Sequence, residues 1–175
     1  MKEPFGTLPS GETATLYILT VGRITAAVTD YGATLVRLLV PDSEGKHADV
    51  VLGYDDCNGY RTARGACLGA TVGRNANRLQ GATFLLNGQN ITLQANDSSN
   101  NLHSGPDYFH LRLWKTVAYS DTSVTFELTS PDGDQGFPGN AVIRVTYELD
   151  STGGLHIVYD AVSDQDTVFN LTNHS

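Results

Sequence analysis

Nine consecutive residues constrain this chain more than any other feature. From Ala141 to Leu149 the odd positions Ala141, Ile143, Val145, Tyr147 and Leu149 are apolar, while Arg144, Thr146 and Glu148 stand among the residues between them. Side chains on a strand point alternately to its two faces, whereas a helix would scatter these five around its axis. The segment is therefore a half-buried antiparallel strand, one face in a core and the other in water. Val124, Phe126 and Leu128 repeat the period within Ser123 to Thr129. Leu155, Ile157, Tyr159 and Ala161 repeat it again, with His156 and Asp160 on the solvent face.

Further strands are expected at Thr13 to Val21, Ile24 to Thr29, Thr34 to Val40, Asp49 to Leu52 and Leu113 to Tyr119, and β-branched Thr and Val are frequent throughout. Thr83 to Leu86 and Gln89 to Gln94 flank Asn87-Gly88, the pair that a type I′ hairpin turn demands because both central residues take positive φ. No helical period is sustained over eleven residues, and Asp55 to Arg61 is expected to make one short helical turn. Many short strands separated by Gly, Asp and Asn turns predict an all-β fold, an antiparallel β-sandwich or barrel-like sheet. The last segment, Thr167 to Ser175, reads as a strand that stops without a turn or polar tail. The chain is therefore expected to be cut within a larger sheet, with an edge open for pairing.

Composition bounds what such a sheet can do. The chain has 175 residues, 40% hydrophobic and 17% charged, which is enough apolar material for the core of one domain and too little charge for a disordered chain. Its 11 basic and 19 acidic residues give a net charge of -8 with no local Lys/Arg cluster, which argues against nucleic acid and anionic membrane surfaces as partners. No apolar run approaches the ~20 residues of a membrane helix, and Met1-Lys2-Glu3-Pro4 leads into no signal-peptide core, so a soluble cytoplasmic protein is expected. Cys57 and Cys67, with no second pair, supply neither a disulfide framework nor a four-cysteine zinc site, and two reduced, partly buried thiols are expected.

Three segments are more polar than turns require. Gly69 to Leu79 sets Arg74, Asn75, Asn77 and Arg78 among small residues. It has neither a Gly-Lys-Ser/Thr ending nor a Gly-x-Gly-x-x-Gly pattern, so it does not read as a nucleotide loop. It reads either as a glycine-rich turn with solvated arginines or as a site where Asn77 and Arg78 offer planar donors to a polar ligand. Asn101 to His110 carries His103 and His110, whose separation matches no common metal-ligand spacing; imidazoles near neutral pKa suit proton transfer or hydrogen bonding beside a substrate. Tyr108, Phe109 and Trp114 either floor a sugar face or fill the core. In the terminal strand Phe169 and Leu171 fall on one face and Asn170, Thr172 and His174 on the other, a polar face that meets water or lines a cleft with His174 aimed into it. Ser130 to Gly139 is dense in turn residues, and Asp132 and Asp134 read as turn formers rather than catalytic carboxylates.

Taken in order, Gly73-Arg74-Asn75-Ala76-Asn77-Arg78, Asn101-Leu102-His103, Ser130-Pro131-Asp132-Gly133 through Gly136-Phe137-Pro138-Gly139, and Asn170-Leu171-Thr172-Asn173-His174-Ser175 resemble the aldose 1-epimerase (galactose mutarotase) family. The resemblance implies a large antiparallel β-sandwich, of which residues 1–175 would form the N-terminal portion of a single domain. It implies interconversion of the α and β anomers of galactose, glucose and related aldoses, with no metal and no organic cofactor. It further implies that His174 is the general acid at the ring oxygen, that His103 is a second histidine near that oxygen, and that Asn77 and Arg78 bind sugar hydroxyls. Ser104 departs from the family, which usually has glycine after the histidine, and is expected to alter only loop geometry. The family's general base, a glutamate, lies beyond the Thr-Asn-His-Ser motif, and no carboxylate here matches it. The base is expected to be missing and the 175-residue chain alone to be inactive. The competing readings are a hexose-6-phosphate 1-epimerase, which needs extra basic residues for the phosphate, and a non-catalytic carbohydrate-binding β-sandwich.

Overall fold

A computed structural model describes residues 1–63 and 65–175. Its first sheet is an antiparallel meander of β1 (Lys2–Thr7), β2 (Thr13–Val21), β3 (Ile24–Thr29), β4 (Thr34–Pro41) and β5 (His47–Asp49), in that spatial order. The helix α1 (Cys57–Thr62) follows, capped by the Asp56 carboxylate, which accepts from Gly59 N. Five short strands come next: β6 (Thr71–Val72), β7 (Arg78–Leu79), β8 (Thr83–Leu86), β9 (Gln89–Thr92) and β10 (Asn101–Leu102). The second large sheet contains β11 (Lys115–Tyr119), β12 (Ser123–Ser130), β13 (Ala141–Leu149) and β14 (Leu155–Ser163), again antiparallel and in sequence order, and β15 (Thr172–Asn173) closes the series.

The two large sheets face each other as the alternation predicts. Leu19, Ala26 and Val28 of the first pack with Val124, Phe126, Ile143 and Val145 of the second in one buried core. The inward residues of β13 are at most 2% exposed, because β12 and β14 flank that strand on both sides. β14 is the outer strand of its sheet, half-buried on its inner face and exposed at Val158 and Val162 on the other. Polar ties also cross the sandwich, among them the Tyr147 hydroxyl, which donates to Ala33 O at 2.8 Å, and the Tyr17 and Thr116 hydroxyls, which meet at 2.8 Å. No helix among the described residues is long and apolar enough to cross a membrane.

Most expected strands form within a residue or two of their predicted limits, and the departures have local causes. The strand expected at Asp49 to Leu52 is instead β5, which ends at Asp49. There the Asp49 carboxylate accepts from Leu38 N and Val51 N, substituting for ladder bonds and turning the chain, which leaves Val50 and Leu52 exposed. The strand expected from Leu113 starts at Lys115, because Leu113 bridges Tyr31 and Trp114 N donates to Asp30 O, both in the other sheet. The terminal strand is shorter than expected: Asn170 makes an isolated bridge to Asn75, and only Thr172–Asn173 enters a ladder. Asn87 and Gly88 take φ of 51° and 78° between the paired Leu86 and Gln89, the predicted type I′ turn.

Candidate functional site

The segment from Gly69 to Leu79 organises the polar residues. It passes so close under β4 that a Cβ on Gly69 would stand 1.9 Å from Leu35 O, and Leu35 N donates to Gly69 O at 2.8 Å. At its start β6 pairs with β15, Thr172 opposite Val72 and Asn173 opposite Thr71. His174 N donates to Ala70 O at 2.9 Å and Gly69 N to His174 O at 3.1 Å, so the backbone of His174 is held at both polar atoms. At its far end β7 pairs with β10, Leu102 opposite Arg78, which delivers His103 at the strand's end. One continuous backbone segment thus carries both histidines on its neighbours.

The imidazoles of His103 and His174 lie 5.3 Å apart, edge to face at 89°. His103 takes φ of 55°, and Asn77 grips it twice: His103 N donates to Asn77 O at 3.0 Å, and Asn77 N donates to His103 Nδ1 at 3.0 Å. A backbone N–H can only donate, so Nδ1 accepts and the neutral ring carries its proton on Nε2. Burial pushes the pKa of His103 below the ordinary histidine value, and the charges of His174 and Arg78 push in the same direction. His174 is exposed, as are Asn77 and Arg78. Asp97 Oδ2 accepts from Arg78 Nε at 2.6 Å, and the Arg78 side chain stays 55% exposed. The four residues expected to form a site therefore lie together: His103 meets His174, the Asn77 backbone holds His103, Arg78 adjoins Asn77, and Asn77, Arg78 and His174 are exposed.

Residues that the sequence did not single out hold this surface in place. Asn173 Nδ2 donates to Gly69 O at 2.8 Å and to Tyr147 Oη at 3.0 Å, while its Oδ1 accepts from Ser175 N at 3.0 Å, bracketing His174. Tyr147 is fully buried, and burial pushes its pKa up to about 12, so it serves there as a neutral hydrogen-bonding post. Arg74 is buried, its guanidinium bonded to the carbonyls of Ser130, Pro131, Pro138 and Gly139 and to the hydroxyls of Ser130 and Thr167. The reading of solvated arginines is corrected at Arg74, whose acceptors lie on a loop about sixty residues further along the chain and leave no local signal.

The other polar candidates separate from the site. His110 is buried, stacked on Tyr108 with ring centroids 4.8 Å apart, and Cys67 Sγ lies 3.8 Å from its Nε2. Phe109 and Trp114 are 1% and 2% exposed and fill the core, so they offer no sugar platform. Asp132 accepts from Gly139 N, the turn-forming role expected of it, whereas the Asp134 carboxylate is paired with Arg112 through Nη1 and Nη2. Cys57 and Cys67 are both buried, and neither is in a disulfide.

A family model described as Aldose 1-epimerase matches residues 15–175. Galactose mutarotase from Bos taurus is 40% identical over 172 residues, covering 98% of this chain and 49% of the relative. Aldose 1-epimerase from Escherichia coli (strain K12) is 39% identical over 145 residues, 83% of this chain and 42% of the relative. Among solved structures, the GalM/aldose epimerase homologue from C. elegans superimposes with a TM-score of 0.86 at 34% identity, over 90% of this chain and 49% of that one. Galactose 1-epimerase from Lactobacillus acidophilus NCFM also gives 0.86, at 28% identity over 99% of this chain and 51% of that one. The chain spans about half the length of the curated relatives it matches.

Proposed function

Because the chain belongs to the aldose 1-epimerase family, we propose that it forms the histidine-bearing half of an aldose 1-epimerase acting on galactose, glucose or a related aldose. The observation that carries this reading is the pairing of the two imidazoles 5.3 Å apart beside Asn77 and Arg78. Opening a pyranose requires a proton on the ring oxygen and loss of the proton from the C1 hydroxyl; rotation about C1–C2 and the reverse transfers then give the other anomer. In this proposal the exposed His174 is the general acid at the ring oxygen. His103, neutral with its proton on Nε2, donates a hydrogen bond to the same oxygen and keeps its own proton. Arg78 and Asn77 bind hydroxyls and orient the ring, and Arg78 offsets negative charge as it develops.

A base must take the C1 hydroxyl proton. Asp97 is engaged by Arg78, and the charges acting on His103 are those of His174 and Arg78, so we assign the base to residues outside these 175. Arg78, already paired with the Asp97 carboxylate, also suits a free sugar better than a sugar phosphate. Two buried cysteines outside any disulfide accord with a cytoplasmic setting. Polarimetry of freshly dissolved α-galactose and α-glucose tests the reading. The 175-residue chain is expected to leave the relaxation at the buffer rate, and a chain extended to the length of its relatives is expected to accelerate it, with His174→Ala in that longer chain losing at least a hundredfold. Full activity of the 175 residues alone would sink the assignment of the base, and normal turnover of the His174→Ala chain would sink the acid. Sugar binding by the longer chain without any acceleration would instead favour the non-catalytic carbohydrate-binding reading.

A further inference from the structure

Ser104 follows His103 and is wholly buried, with φ of 57°. Its hydroxyl makes two reciprocal bonds to one residue: Asn75 N donates to Ser104 Oγ at 2.9 Å, and Ser104 Oγ donates to Asn75 O at 3.0 Å. One residue earlier, His103 makes the matching reciprocal pair with Asn77. Two adjacent residues of one loop are thus latched to two residues of the Gly69 to Leu79 segment by four hydrogen bonds. The hydroxyl is not required by the backbone geometry, since glycine takes a positive φ more readily than serine.

We propose that Ser104 is a positioning residue whose double bond to Asn75 fixes the register of the two segments and thereby locks His103 as the Nε2–H tautomer, a neutral donor aimed at the site. The expectation that serine here changes only loop geometry is replaced by a role for its hydroxyl. The lock works through distance. The bond from Asn77 N to His103 Nδ1 survives only while the two backbones stay in register, and Ser104 ties that register at the neighbouring position. While Nδ1 is occupied as an acceptor it cannot take a proton, so the second proton of a charged imidazole is excluded. The charged and titratable neighbours are His174 on one side and Arg78, with its partner Asp97, on the other; none of these supplies a negative charge free to stabilise a protonated His103.

This inference deepens the role given to His103 in the proposed reaction, yet its test does not depend on turnover. Nitrogen-15 NMR of the imidazoles in the 175-residue chain reports directly which ring nitrogen carries hydrogen. In the wild-type chain His103 is expected to show a single protonated nitrogen, Nε2, from pH 8 down to below the ordinary histidine midpoint. Ser104→Ala removes only the hydroxyl, and Ser104→Gly removes it while relieving the positive φ, so the second variant retains the fold if the first does not. In either folded variant His103 is expected to populate both tautomers, and its titration midpoint is expected to rise towards the ordinary value. A wild-type His103 protonated on Nδ1 would overturn the lock, and a folded Ser104→Gly chain with unchanged tautomer and midpoint would overturn the role of Ser104. Failure of mutarotation in an extended chain would leave these spectra as they are, so the two readings fail separately.

Discussion

Arg74 is a cation inside the protein with backbone carbonyls and hydroxyls, and no carboxylate, bonded to its guanidinium. Burial lowers its pKa, and the nearby charges of Asp134 and Asp132 oppose that effect. Removing the fork strands buried acceptors on the Ser130 to Gly139 loop, each costing about 1–3 kcal/mol. Arg74→Met is expected to lower the unfolding free energy by about 3 kcal/mol or more in urea titrations. Arg74→Lys is expected to recover only part of that, since an ammonium lacks the planar fork; a wild-type midpoint for the lysine variant would refute the account. The turn reading left both Arg74 and Arg78 solvated, because composition and spacing say nothing of where a guanidinium points. What parts them is a loop distant in the chain, visible only once folded. His103, His174, Asn77 and Arg78 were legible as one group because a family motif marks them; the bonds of Ser104 were not, because its partner, Asn75, lies on another segment.

At the scale of elements, what the sequence revealed was the period of two. The three strands with strict alternation form where that alternation places them, and β13, flanked by two neighbours, buries its inner face completely. Ile143→Ala is expected to cost about 2–5 kcal/mol by opening a cavity between the sheets. Arg144→Ala, one residue along and on the solvent face, removes the pair between an exposed guanidinium and the partly buried Glu127 and is expected to cost about 1 kcal/mol. Equal losses in chemical denaturation would contradict the assigned faces. Strand ends were less legible, since a side chain can replace a ladder bond, as Asp49 does at the end of β5. The short pairs β6 with β15 and β7 with β10 were invisible to periodicity, because two residues define no period.

At the scale of the whole molecule, the first sheet is joined to the second through Asp30. Its carboxylate accepts from Thr15 N at 2.8 Å, and its carbonyl accepts from Trp114 N at 2.9 Å. Burial pushes its pKa up to about 6 despite those bonds from Thr15. An unfolded aspartate releases its proton near ~3.9. Between those two values the folded protein holds the proton that the unfolded chain has lost, so the contribution of Asp30 to stability declines as pH rises through that window and is gone above about 6. The difference corresponds to roughly 3 kcal/mol. Asp30→Asn keeps an acceptor for Thr15 N and removes the titration. Unfolding free energies measured from pH 4 to 7 are expected to fall in the wild type relative to the variant by that order, and parallel curves would refute the assignment.

The Gly69 to Leu79 segment binds the His174 strand at one end and the His103 strand at the other, with Gly73 to Asn77 spanning the interval. That interval acts as a gauge block. The spacing of the two histidine backbones is set by the length of one stretch of chain. Point substitutions can change what each histidine does while its place is preserved. Adding or deleting a residue between Gly73 and Asn77 is expected to alter the distance between the two histidine backbones, which makes the length of that stretch, together with the Arg74 and Asn75 contacts inside it, a dimension of the scaffold in its own right.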